Sequence, residues 1–287
     1  MPAPFEPPVV SPRTLAEALE LLAAADGLRP IAGGTDLMVQ MTGELAAPPE
    51  RVLDIWHLDE LRGITVGEGA LTLGALSTYT GMRNSELVQR HLPALAEAAA
   101  TIGAAQIQNR GTIGGNVINA SPAGDTLPIL LATDADLILA SAAVGERSVP
   151  ACDFWPSYRT TARRPDELLV RIRIPLPKDR QVRFRKVGTR RAQAISKVVL
   201  ALAWQEDGGV WRDVRVAVGS VAPTPIRARE TEGVLEGAAP RETTADHAAQ
   251  TLANEIHPID DVRSTADYRR VVSARVLHRL LRDAGGW

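Results

Sequence analysis

Two glycine pairs place the tightest constraint on how this chain folds. "IAGGTDL" runs from Ile31 to Leu37, and "TIGGN" runs from Thr112 to Asn116. Each follows apolar sequence, leads into apolar sequence and is bordered by threonine. Glycine admits positive φ and lets another group come close to the backbone. Such turns bring consecutive amide N–H groups onto an anion. The hydroxyls of Thr35 and Thr112 add donors. A diphosphate fits because it needs many donors and close approach, which amides supply without a fixed positive charge. For either pair alone, the competing reading is a tight connection between strands.

The longer stretch "RGTIGGNVINASPAGDTLP", Arg110 to Pro128, contains no lysine, histidine or cysteine. The five histidines, His57, His91, His247, His257 and His278, lie outside both glycine turns. With no histidine, cysteine or lysine at either turn, no catalytic residue is assigned. Neither turn fits G-x-G-x-x-G, so a doubly wound dinucleotide fold is not supported. P-loop and H-E-x-x-H patterns are absent. Asp125 reads either as a cap for the helix begun by "TLPILL" or as an acceptor for a ribose hydroxyl.

The 287 residues allow one large or two modest domains. No apolar run is long enough to cross a bilayer, and "MPAPFEPPVV" has neither the basic nor the apolar region of a secretion signal. Cys152 is the one cysteine. It allows no intrachain disulfide, no iron–sulfur cluster and no Cys-rich zinc site in this chain, and it suits a cytoplasmic location. No metal is therefore expected. A net charge of −2 argues against a general polyanion binder. The exception is "RQVRFRKVGTRR", with Arg180, Arg183, Arg185, Lys186, Arg190 and Arg191, which reads as the solvated face of a strand. Phe184 is the one aromatic among these charges, so base stacking and a nucleic-acid partner are not expected.

Along the chain, Pro-rich "PAPFEPP" is an extended lead-in. "SPRTLAEALELLAAADG" is a helix capped by Ser11 or Thr14 and ended by Asp26-Gly27. "RVLDIWHL" is strand-like, and "GITVGEGALTLGALST" is a hairpin around Gly67 to Gly69. "SELVQRHLPALAEAAATIG" is helical and broken at Pro93. "DTLPILLATDADLILAS" is a short helix and then a strand. "PDELLVRIRIPLP" is a strand closed by prolines, which marks a boundary near residue 177. Strands "VRFRKVG", "SKVVLALAWQ" and "VWRDVRVAVGSV" follow, with Gly208-Gly209 as a hairpin turn. The chain then turns mostly helical from Thr243 to Ala284. Strands followed by helices indicate α+β.

"IAGGTDLMVQM" together with "NRGTIGGNVINASPAGDTLPILLATDADLIL" resembles the flavin-binding subunit of the molybdenum hydroxylases, the family of xanthine dehydrogenases and aerobic carbon monoxide dehydrogenases. The resemblance spans essentially the whole chain, and "DDVRSTADYRRVVSARVLHRLL" is similar to the family's closing helix. It implies an α+β protein with a two-part FAD-binding domain of the vanillyl-alcohol-oxidase-like type over 1–177, divided at about 58/59. A C-terminal antiparallel sheet with helices follows over 178–287. FAD is the implied cofactor. Pro30, Ile31, Ala32, Gly33, Gly34, Thr35, Asp36 and Leu37 would form one loop around its diphosphate. Thr112, Ile113, Gly114, Gly115 and Asn116 would form the other. Asp125 and Leu169 would lie near the adenosine end, Ile102 against the flavin, and Lys186 close to the isoalloxazine ring.

The same resemblance implies partners: a small subunit with 2Fe–2S clusters and a large molybdopterin-binding subunit. Electrons would pass from the clusters through FAD to an external acceptor. "KVGTRRAQAISK" resembles the loop beside the flavin in xanthine dehydrogenases, which carry acidic residues after the paired arginines. Ala192, Gln193 and Ala194 stand there instead. That speaks against NAD and leaves a quinone, oxygen or a carrier protein. The competing reading is a stand-alone flavoprotein oxidoreductase of the same FAD-binding superfamily.

Overall fold

In the computed structural model, which describes residues 6–42, 47–190 and 193–287, the opening segment forms a small parallel sheet. Its elements are β1 (Val9–Val10), α1 (Leu15–Ala24), β2 (Leu28–Ile31), α2 (Leu37–Thr42) and β3 (Arg51–Asp54), with strand order β1-β3-β2. Thr14 is the residue that caps α1. Its Oγ1 accepts from the Glu17 N–H at 3.2 Å and satisfies a donor the helix leaves open. Leu19 and Leu22 of α1 pack with Leu28 and Leu53. Residues 1–5 of the lead-in, and Arg191 and Ala192 of the basic loop, lie outside the described residues.

The middle of the chain builds a five-stranded antiparallel sheet of order β4-β5-β8-β6-β7. It contains β4 (Ile64–Gly67) and β5 (Ala70–Gly74), joined by the expected hairpin. Helices α3 (Tyr79–Asn84), α4 (Glu86–His91) and α5 (Pro93–Thr101) follow. Pro93 sits in the first turn of α5, where its missing N–H costs no hydrogen bond. Next come α6 (Ala105–Arg110), α7 (Ile113–Asn119), α8 (Leu127–Ala132), β6 (Asp136–Ser141), β7 (Gly145–Pro150), α9 (Ala151–Phe154) and β8 (Leu168–Pro175). The second glycine pair therefore opens a helix, α7, and does not join strands; α6 has no counterpart in the sequence reading. On β8, Leu169 pairs with Leu139 and Arg171 with Ile138, so Val170 is passed over. The bulge resets the alternation. Leu169, Ile172 and Ile174 join one core cluster, whereas Leu168 and Val170 join the cluster of the first sheet.

The remainder forms an antiparallel sheet of order β12-β11-β10-β9. Its strands are β9 (Gln181–Val187), β10 (Val198–Asp207), β11 (Val210–Gly219) and β12 (Ile226–Arg227). Helices α10 (Arg229–Leu235), α11 (Glu242–Glu255) and α12 (Ala266–Gly285) complete it. Strand β10 is covered on both sides. Val198, Leu200, Leu202 and Trp204 pack among residues of α10, α11 and α12, while Val199, Ala201 and Ala203 join the middle core. Burying a valine or leucine fully contributes roughly 1.5–3 kcal/mol, so the two parts share a packed core across their join. Alanine on the inner face lets α8 sit closely on β10 and β11.

Candidate functional site

Three parts of the fold meet at one cleft, and the two glycine pairs line its narrower section. After β2 the backbone runs through Ala32, Gly33, Gly34, Thr35 and Asp36 into α2. Among the described residues, the N–H groups of these five have no hydrogen-bond partner. Gly33 is pressed so tightly on its neighbour that a Cβ there would overlap the Arg110 carbonyl oxygen. Arg110 is held in turn by its guanidinium, which stacks 3.8 Å over the Trp56 ring beyond β3.

The second pair is arranged otherwise. Thr112 caps α7, its Oγ1 accepting from the Gly115 N–H at 3.0 Å. The Ile113 N–H donates to the Ser77 carbonyl at 3.0 Å, Gly114 to Ala75 at 2.9 Å, and Asn116 to Thr112 at 3.0 Å. Every amide from Ile113 to Asn116 is thus engaged within the protein. A Cβ on Gly114 would lie 2.7 Å from the Ala75 oxygen and 2.8 Å from the Ala75 Cβ. The amides of the first turn are unpartnered, whereas those of Ile113 to Asn116 in the second are bonded within the protein.

The narrower section of the cleft, about 360 Å³, is lined by Pro30 through Leu37, by Thr112, Gly114, Gly115 and Asn116, and by Leu169. A waist formed by Thr35, Asp36, Tyr79, Asn116, Asn119 and Arg159 joins it to a wider section of about 1010 Å³. Ile102, Asp125 and Lys186 line that wider section. Ile113 is fully buried beneath the loop and does not reach the cleft surface. Leu169 lines the narrower section and Asp125 the wider one, where its carboxylate is held by Lys186 on β9.

The Lys186 Nζ donates to Asp125 Oδ2 at 2.5 Å and to the Thr101 carbonyl at 3.2 Å. Both side chains of the pair are buried. Asp125 does not cap α8, whose N-cap residue, Thr126, makes no side-chain cap bond. Burial pushes the Asp125 carboxyl above its ordinary range, and the Lys186 ammonium opposes that shift. Asp125 Oδ1 is buried without a partner. A buried acceptor of this kind is costly unless a donor reaches it. A bound group offering an O–H or N–H in the wider section fits this place.

Several lining residues gave no signal in sequence. Tyr79 sits at the waist, nearly fully buried. Burial, then the carboxylates of Asp36 and Asp125, keep its phenol protonated far above neutral pH. The Asn119 Nδ2 donates to Asp36 Oδ1 at 3.2 Å, and Arg159 Nη1 donates to Asn119 Oδ1 at 3.1 Å. Protein crowding raises the Asp36 carboxyl, with Arg159 opposing. The basic strand divides. Arg183 and Arg185 face solvent as expected. Arg180 is instead buried against Asp213 and lies 3.7 Å from Asp134, and Lys186 turns inward. Among the described residues, no helix is long and apolar enough to cross a membrane.

Residues 3–177 match the model of the FAD binding domain in molybdopterin dehydrogenase, and residues 183–284 match that of the CO dehydrogenase flavoprotein C-terminal domain. The chain is 34% identical over 263 residues to the glyceraldehyde dehydrogenase medium chain of Sulfolobus acidocaldarius, covering 92% of each. It is 33% identical over 281 residues to the xanthine dehydrogenase FAD-binding subunit of Escherichia coli O157:H7, covering 95% of each. Its fold superposes with a TM-score of 0.92 on a chain of carbon monoxide dehydrogenase from Hydrogenophaga pseudoflava, at 30% identity and 96% coverage of both.

Proposed function

From the premise that this chain belongs to the FAD-binding subunits of the molybdenum hydroxylases, we propose that it relays electrons. They would come from 2Fe–2S clusters of a small partner, pass through its FAD and leave to an external acceptor, while a large molybdopterin-binding subunit oxidises the substrate. The observation that carries this reading is the single cleft, which joins unspent amides at one end to an unpartnered buried carboxylate oxygen at the other. FAD, when bound, supplies exchange of electrons singly or in pairs.

The chain's own residues bind and orient. The free N–H groups of Ala32 to Asp36, with the Thr35 hydroxyl, offer donors to the diphosphate. Leu169 offers an apolar wall to the adenine, and Ile102 does so for the flavin ring. Asp125 and Lys186 present an acceptor and a cation to the polar edge of the ring or its ribityl chain. Thr112 through Asn116 shape the floor, with Ile113 packed beneath it. We place the domain divisions at about 58/59 and 177/178; the separate sheets support both, and the two matched ranges support the second. Gln193 and Ala194 line the wider section without an acidic side chain, which supports a quinone, oxygen or carrier protein over NAD. The lone cysteine supports a cytoplasmic location.

Isolation of the native assembly with flavin, iron and molybdenum analysis tests the reading. One FAD per chain, with a small iron-containing and a large molybdenum-containing subunit, is the expected result. A colourless chain that ignores added FAD would overturn it. So would a yellow chain that purifies alone and oxidises a substrate of its own.

A further inference from the structure

With the amides of Ile113 to Asn116 already bonded, the first glycine loop offers a run of five free main-chain donors to a diphosphate at the waist, while the second offers only the groups of Thr112 and the Asn116 side chain. Other cations nearby are committed. Lys186 is held by Asp125, and Arg163 Nη1 donates to the carbonyls of Arg164, Pro165 and Glu167. Arg29 lines the narrow section but not the waist.

Resting on the reading that this cleft takes FAD, we propose that Arg159 completes the diphosphate site, its guanidinium supplying a positive charge that neither glycine loop carries and donors beside those of the first loop. Arg159 lines both sections of the cleft. Its backbone is left-handed, with φ of 52°, a conformation unfavourable for a non-glycine residue. A turn closed by the Thr160 N–H on the Ser157 carbonyl at 3.1 Å holds this conformation. The side chain is aimed as well as charged. Nη1 is tied to Asn119, whose amide is tied to Asp36 on the first loop, and Nε lies 3.3 Å from the Tyr158 hydroxyl. Nη2 has no partner among the described residues. An arginine fork suits phosphate because two parallel N–H groups can meet two oxygens.

The test compares wild type, Arg159→Gln and Arg159→Lys as full chains in their assembly after flavin removal. FAD is titrated at several ionic strengths. Arg159→Gln is expected to weaken FAD binding about 10- to 100-fold and to flatten its dependence on salt. Arg159→Lys should recover the salt dependence and part of the affinity. Thermal melting of the flavin-free proteins should show no difference, since the side chain is exposed. Equal affinity for FAD in Arg159→Gln would overturn the proposal. So would weaker binding with unchanged salt dependence and no recovery by lysine, the pattern of a structural role. A wild-type assembly that takes up no FAD at all would instead bring down the functional reading on which the proposal rests.

Discussion

In the loop after β2, which lines the cleft, five successive amides have no partner; at the start of α7, four successive amides are bonded inside the protein. Both stretches read Gly-Gly next to threonine, yet glycine serves different ends in them. At Gly114 the missing Cβ lets α7 dock on Ala75, which fastens the helix to the end of β5. At Gly33 it lets the first loop lie on the Arg110 carbonyl, just ahead of that fastened helix. The second loop is the anvil against which the first is shaped. The difference teaches that a glycine-rich loop at a cofactor site need not touch the cofactor through its amides.

The sharpest attempt to break this contrast is Gly114→Val. Its side chain has no room beside Ala75, and overpacking of this kind costs about 1–3 kcal/mol. The flavin-free protein should melt several degrees lower, and FAD retention should be lost. Loss of FAD with an unchanged melting curve would show that the second loop is a ligand site after all.

A matched pair of threonine changes divides the roles further. Thr112→Ala removes the α7 cap and should cost about 1 kcal/mol of stability, while FAD affinity in the folded protein changes little. Thr35→Ala should leave melting unchanged and weaken FAD binding by about 5- to 10-fold, as expected for one lost hydrogen bond. Denaturant unfolding and flavin titration read the two effects separately, and a reversed pattern would invert the assignment.

The smallest effect is that of pH on Asp36→Asn. The Asp36 carboxyl is raised in the folded state above 3.8, chiefly by the surrounding protein, with Arg159 opposing. Such a group contributes stability that is complete below its unfolded pKa and is lost as pH rises through its folded pKa. The wild type should therefore lose stability relative to Asp36→Asn as pH rises above the ordinary carboxylate value of 3.8. Parallel curves for the two proteins in urea would show that the carboxylate is not strained in this place.

Much of the architecture was legible before any coordinates. The hairpins at Gly67 to Gly69 and Gly208-Gly209, the break at Pro93 and the closing helix all rest on neighbours in sequence. Helix α6 was missed because "GAAQIQNR" has no apolar periodicity to announce it. The Asp125–Lys186 pair was half legible: both residues were named, but nothing in the sequence joined them.

Turn chemistry, capping and apolar period are local, so the chain alone determined which segments become strands and helices and where the backbone is made of glycine. Tertiary structure decided which polar groups remain free. Ser77 and Ala75 claim the amides of Ile113 and Gly114 from across the fold, Lys186 reaches Asp125 across 61 residues, and Asn119 reaches Asp36 across 83. A hydrogen-bonding group finds its partner among whatever the fold brings near it, and at this cleft those partners come from distant elements of the chain.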